Sequence, residues 1–293
     1  MSIQEYIQHR AEEIESELDQ LVPEMETPYG SLFKAARYSL KSPGKRLRPT
    51  LCIATVQVLG GNPTAALKPA CCLEMIHTYS MIHDDLPAMD NDDYRRGVPS
   101  LHKVFPQSHA ILAGDFLLTH AFETLVKIPG LSADQKIELI RILSEKSGGK
   151  GMIGGQVMDL ESEDKEVDLE TLKQLHEMKT GALISASIEF GAVIANASSD
   201  HKNVLKEFGN DMGLAFQIVD DILDVTSKKK KRGSEESSDV RNHKSTYVSL
   251  MGLKEANEAS LALLKSAQEK LQNLPFDTKI LQEIATLIVS RDH

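Results

Sequence analysis

Several things that would mark a secreted, membrane or nucleic-acid-binding protein are scarce in this chain. Its three cysteines, Cys52, Cys71 and Cys72, are odd in number and set in apolar runs. They read as reduced core residues, not as a disulfide frame or a zinc site. Basic charge is in deficit, with 33 Lys and Arg against 43 Asp and Glu and a net charge of -10. That argues against general binding to nucleic acid or anionic lipid, which need a positive surface. A polyanionic partner must instead be gripped locally, by clustered cations or bridging metals. No apolar run is long enough to span a bilayer, and the opening MSIQEYIQHRAEEIE has no signal-peptide core. The expectation is a cytoplasmic protein with no membrane insertion. Alternating strand patterns and Asn-Gly hairpin signals are missing too.

What is present repeats at three and four residues. Ile3, Ile7, Ile14, Leu18 and Leu21 form one stripe, ended by Pro23, and Leu32, Ala35, Ala36 and Leu40 form another, ended by Ser42-Pro43-Gly44. Further stripes run over about 66–86, 110–126, 134–143, 169–195, 204–225, 255–271 and 280–289. The fold class expected is all-α, in a single domain spanning 1–293. Apolar residues on most faces place the Leu73, 182–195 and 215–225 regions in central helices. The stretch SKKKKRGSEESSDVRNHK, 227–244, breaks the style. Composition reads it as a mobile basic surface loop, with a lid over an anionic ligand as the functional alternative.

Two acidic clusters interrupt the apolar pattern. In MIHDDLPAMDNDDYRRG, 81–97, Asp84 and Asp85 close an apolar helix and Pro87 prevents its continuation. A turn at Pro87 lets Asp90 fold back toward the first pair. Acids at a helix C-terminus face the negative end of its dipole, each costing up to about 1 kcal/mol, so several together make sense mainly beside a cation. In FQIVDDILDV, 216–225, Asp220 and Asp224 lie four apart on one helix face, with Asp221 beside them. Sites built of carboxylates alone suit a hard ion, and Mg²⁺ takes one or two carboxylates plus substrate phosphates. Cations follow: Arg95 and Arg96 after the first cluster, and Lys45, Arg46 and Arg48 in GKRLRP, 44–49, at the start of an apolar helix whose free N–H groups favour an anion. Lys179-Thr180-Gly181 interrupts another helix.

Taken in order, GKRLRP (44–49), EMIHTYSMIHDDLPAMDNDDYRRG (74–97), GMIGGQVMDL (151–160), KTGAL (179–183), FQIVDDILDV (216–225) and KSTY (244–247) resemble the short-chain trans-polyprenyl diphosphate synthase family over nearly the whole chain. The likeness is strongest to its bacterial, farnesyl diphosphate-forming branch. The resemblance implies the isoprenoid synthase fold, antiparallel helices around a deep central cavity, and a homodimer. It implies condensation of dimethylallyl or geranyl diphosphate with isopentenyl diphosphate, with three Mg²⁺ per active site and Mn²⁺ as the alternative ion. The ligands would be Asp84, Asp85 and Asp90 with Asp220, supported by Asp221 and Asp224. Arg95, Lys179, Gln217 and Lys244 would hold the allylic diphosphate. Gly44, Lys45, Arg48, His77 and Arg96 would hold isopentenyl diphosphate. Gln156 would line the cavity, and Thr180 would steady the carbocation with its own and neighbouring oxygens.

Chain length would be set by what blocks the cavity beneath the first motif. Tyr79 stands five residues before Asp84, about 7.5 Å along a helix axis. The family pattern associates a bulky residue there with the fifteen-carbon product; Ser80 obstructs little. Two departures stand out: Pro43 replaces the first glycine of the usual Gly-Gly-Lys-Arg, and Ser234 stands where a diphosphate-touching lysine is expected. The alternatives are a geranylgeranyl diphosphate synthase and, through Ser234, a non-catalytic subunit of a heteromeric prenyltransferase. An HD-type metal phosphohydrolase built on His77, His83 and Asp84 would leave GKRLRP and the second acidic cluster unexplained.

Overall fold

The apolar stripes become helices nearly at their expected bounds. In the computed structural model the described residues are 1–226 and 245–291; the basic stretch 227–244, with Ser234 and Lys244, lies outside them. In chain order the helices are α1 Ile3–Leu21, α2 Gly30–Leu40, α3 Leu47–Val58, α4 Pro63–Asp84, α5 Leu101–Val104, α6 Gln107–Lys127, α7 Ala133–Ser147, α8 Met152–Glu161, α9 Leu169–His176, α10 Ala182–Ile194, α11 Ser199–Thr226, α12 Tyr247–Met251, α13 Leu253–Gln272 and α14 Lys279–Ser290. Local chemistry sets several ends. Ser2 and Glu5 form a capping box on α1, and Asn62 caps α4 with Pro63 in its first turn.

The chain divides into two compact units, one of Met1–Ile53 and Asn62–Ile140, the other of Ala54–Gly61 and Arg141–His293. The first unit is organised around α4, which packs on α1, α2 and α6. Cys71, Cys72, Leu73, Met75 and Ile76 are all fully buried, the pattern of a helix enclosed on most sides. All three cysteines are unpaired and buried, as their apolar surroundings imply.

This unit also holds what the sequence pattern hides: a minimal antiparallel hairpin, β1 Tyr94–Arg95 with β2 Val98–Pro99. Its loop is Arg96-Gly97, with φ of 53° and 81°, the two positive values that a two-residue primed turn demands. The missing Asn-Gly signal misled because arginine, not asparagine, fills the first turn position. The short helices α5 and α12 likewise carry too few residues to show a stripe.

The second unit centres on α11, which packs on α10 and α13. The expected stripe 169–195 is broken where Lys179-Thr180-Gly181 occurs: Glu177–Gly181 is one π-helical turn between α9 and α10. Such turns are seen mostly as single bulges in α-helices, frequently at functional sites. Glycines let two other helices reach it. A Cβ on Gly155 of α8 would lie 2.3 Å from the Lys179 nitrogen, and one on Gly213 of α11 would lie 2.6 Å from the Gly181 Cα. Neither contact survives a side chain.

Below this turn, Leu172, Leu214, Ile218, Ile222, Tyr247 and Ala256 form an apolar cluster. The His176 ring lies 5.4 Å from the Tyr247 ring, buried and with no partner for Nδ1. Burial lowers its pKa from 6.5 to about 4, with nearby Asp159 opposing and Lys179 reinforcing the shift. A histidine held neutral in the fold and protonated when unfolded contributes stability that is complete above pH 6.5 and lost as pH falls toward 4. We therefore expect His176→Met to remove that acid sensitivity. Between pH 7 and pH 5, urea unfolding of the parent protein should lose about 2 kcal/mol more than the variant; equal losses would refute the assignment.

Candidate active site

The end of α4 builds the first acidic group. Asp84 is the last helical residue and Asp85 caps the helix, its N–H still bonded to the Met81 carbonyl. Pro87 stops the helix, and the chain turns so that the Asp90 N–H donates to the Asp84 carbonyl at 2.9 Å. Asp90 thus returns to Asp84, as Pro87 led us to expect. Asp85 points inward. Its Oδ1 accepts from Arg95 Nε at 2.6 Å and meets Nη2 at 2.5 Å. Burial raises its pKa while Arg95 opposes the rise, so each ion makes the other's burial tolerable. Asp85 therefore orients Arg95.

Beside it lies a corner rich in cations. Arg96 donates from Nη1 to the Pro43 carbonyl at 3.0 Å, and its Nη2 lies 3.5 Å from His77 Nε2. Gly44 makes this approach possible, since a Cβ there would sit 2.7 Å from Arg96 Nη1. His77 is held neutral: burial, then the charges of Arg48, Arg96, Arg95 and Arg46, push its pKa well below 6.5. Gly44, Arg48, His77 and Arg96, grouped by the family resemblance, thus come together, with Lys45 exposed on the same loop. Arg46, counted among the cations of GKRLRP, is turned inward onto Glu74 at 2.8 Å.

Higher on α4, Tyr79 is buried, and its ring meets the His83 ring edge-on at 5.8 Å. Burial, with the Asp84 charge adding to it, pushes the phenol up to about 12, so it stays neutral. Ser80 bonds back to the His77 carbonyl at 2.9 Å and adds little bulk.

In the second unit the π turn presents Lys179 and Thr180. Lys179 Nζ pairs with Asp159 Oδ2 of α8 at 2.7 Å. Thr180 donates to Gln217 Oε1 at 3.0 Å, Gln217 Nε2 donates to Asp221 Oδ1 at 3.2 Å, and the Tyr247 N–H donates to Asp221 Oδ2 at 2.8 Å. Asp221 is buried inside this chain of bonds, whereas Asp220 and Asp224 share the more open face of α11, as four-residue spacing requires. Asp220 Oδ1 accepts from Arg291 Nη2 at 2.6 Å, and that guanidinium lies 4.0 Å over the Phe216 ring. Both amide atoms of Gln156 are buried with no bond. Lys244 lies outside the described residues.

Sequence reading missed Asp159, Glu74 and Arg291. The first two had a signal: one acid within an apolar run, MDL or LEM, asks for a buried cation. Arg291 had none, being 71 residues from Asp220. Among the described residues no three His, Cys, Asp or Glu side chains are grouped closely enough to hold an ion by themselves. Mg²⁺ asks for less when phosphate oxygens complete its shell. Hard carboxylate oxygens at the end of α4 and along α11, with cations nearby within each unit, fit an ion brought in by a polyphosphate.

Comparison with known proteins agrees with this chemistry. Residues 30–284 match the family model described as Polyprenyl synthetase. Farnesyl diphosphate synthase of Geobacillus stearothermophilus is 42% identical over 295 residues, covering 100% of this chain and 99% of the relative. The crystal structure of an FPP/GFPP synthase from Zymomonas mobilis superposes with a TM-score of 0.89 at 37% identity, covering 98% of this chain and 99% of that one. A geranyltransferase from Helicobacter pylori, complexed with magnesium and isoprenyl diphosphate, gives 0.83 at 37% identity, covering 99% and 97%. With its helical architecture and its ordered motifs, the chain belongs to the polyprenyl synthetase family and is a prenyltransferase of the isoprenoid synthase fold.

Proposed function

We propose that this prenyltransferase, acting as one 1–293 domain and as a homodimer, joins dimethylallyl or geranyl diphosphate to isopentenyl diphosphate and releases farnesyl diphosphate. The observation that supports the fifteen-carbon product is Tyr79, a buried ring on α4 five residues before Asp84; in this reading it closes the space beneath the first acidic group. Its edge contact with His83 holds it in place.

In this reading Asp84, Asp85, Asp90, Asp220 and Asp224 are the carboxylates of the metal sites, and Asp221 supports them by fixing Gln217. Mg²⁺ held by these carboxylates would supply positive charge to the departing diphosphate. Arg95 and Lys179, each aimed by a carboxylate, hold the allylic diphosphate as its C–O bond breaks, with Gln217 and Lys244. Gly44, Lys45, Arg48, His77 and Arg96 hold isopentenyl diphosphate, whose double bond attacks the allylic carbon. His77, neutral among arginines, donates a hydrogen bond through its one ring N–H without adding a further positive charge. Thr180 gives its hydroxyl hydrogen to Gln217, leaving oxygen lone pairs to face positive charge. Released diphosphate takes the final proton, so the chain needs no nucleophile or general base of its own. Apolar helix walls keep water from the cation.

Product analysis tests the reading: purified protein with Mg²⁺, geranyl diphosphate and isopentenyl diphosphate should yield mainly farnesyl diphosphate. A predominantly twenty-carbon product would move the chain to the geranylgeranyl class, and no product would favour a non-catalytic subunit. Tyr79→Ala should lengthen the product by one or more five-carbon units, and an unaltered distribution removes Tyr79 from the role. Asp84→Ala should lower kcat by at least about a hundredfold; a near-normal rate contradicts its place at the metal.

A further inference from the structure

Beside the corner formed by Gly44, His77 and Arg96 lies a buried ion pair, Arg46 with Glu74. Arg46 and Glu74 side chains are 2% and 4% exposed. Arg46 gives Nη1 to Glu74 Oε1 at 2.8 Å, Nε to Glu15 Oε1 at 3.2 Å, and Nη2 to the Leu40 and Ser42 carbonyls at 2.7 and 3.1 Å. One guanidinium thus ties together α1, α4 and the end of α2. Four of its five N–H groups are thus spent inward.

The chain pays a conformational cost to put it there. Arg46 has φ of 45°, a left-handed backbone that side chains disfavour and that persists only where surroundings impose it. Its carbonyl accepts the Thr50 N–H at 3.1 Å, opening α3. The loop before it then carries the Pro43 carbonyl to Arg96 Nη1 and brings Gly44 against the same guanidinium. Arg96 is itself left-handed, with φ of 53°. Glu74 and His77 are three residues apart on α4, so one helix face holds the anchor and the ring that Arg96 meets. Arg46, Glu74, His77 and Arg96 line one cavity of about 50 Å³ together with apolar side chains such as Met81 and Leu101, and the polar bonds set how its cations are oriented.

We propose that the Arg46–Glu74 pair is a positioning element for the isopentenyl diphosphate corner, setting the 42–48 loop and through it the placement of Arg96 beside His77. This deepens the functional reading above and rests on it.

Steady-state kinetics with each substrate varied in turn, together with thermal unfolding, test the proposal. Arg96→Ala should raise KM for isopentenyl diphosphate; an unchanged value would overturn the assignment of the corner, and the proposal with it. Given that rise, Glu74→Gln should raise the same KM about tenfold while KM for geranyl diphosphate stays within about twofold. The double variant Arg46→Met/Glu74→Leu removes both charges, and such replacements often restore stability. It should regain the parent melting temperature yet keep the raised isopentenyl diphosphate KM. A normal KM in Glu74→Gln, or a double variant that recovers both quantities, would leave the pair a purely structural ion pair and overturn the proposal. Should the double variant fail to fold, Glu74→Gln alone decides.

Discussion

A buried cation is held still by the carboxylate it pairs with, and in this protein buried carboxylates fix three cations of the sequence motifs. Asp85 stands behind Arg95, Asp159 behind Lys179, and Glu74 behind Arg46. Asp221 does the same for the neutral Gln217. A buried carboxylate is costly alone and tolerable when paired, so each pair fixes the geometry of both members. An arginine held through one edge keeps other N–H groups for an incoming anion. The arrangement also lets a chain of net negative charge keep local clusters of cations.

Close backbone approach is the second device. Gly155 and Gly213 admit the backbones of α8 and α11 to the π turn that carries Lys179 and Thr180, and Gly44 admits the Arg96 guanidinium. Left-handed Arg46 and Arg96 belong to the same economy of space. Left-handed conformations are disfavoured for residues with a Cβ and cluster where the surroundings over-determine them. Here the polar bonds of Arg46, and the tight hairpin around Arg96, do so.

Membership of the polyprenyl synthetase family makes the chain a prenyltransferase, and the functional reading proposed above ties these local facts to one reaction, in which charge leaves with a diphosphate and a cation is sheltered. Among the described residues no helix is long and apolar enough to cross a membrane. In the functional reading proposed above, one buried ring on α4, Tyr79, limits product length, while its neighbour Ser80 folds its hydroxyl back onto the His77 carbonyl.

The helices and the acidic motifs were legible in residue order, because a buried helical face repeats every three to four residues and proline stops it at a countable place. Asp90 folding back at Pro87 and Asp220 sharing a face with Asp224 follow from local geometry alone. The partners of those residues do not. Glu74 meets Arg46 across 28 positions, Lys179 meets Asp159 across 20, and Arg291 reaches Asp220 across 71. Nothing in a local pattern distinguishes an arginine aimed at a ligand from one buried on a glutamate. Arg46 and Arg48 differ by two residues, and only helix packing decided that Arg46 turns inward. The hairpin at 94–99 was hidden for a related reason, since its turn relies on left-handed Arg96, a conformation imposed by tertiary contacts and not by preference.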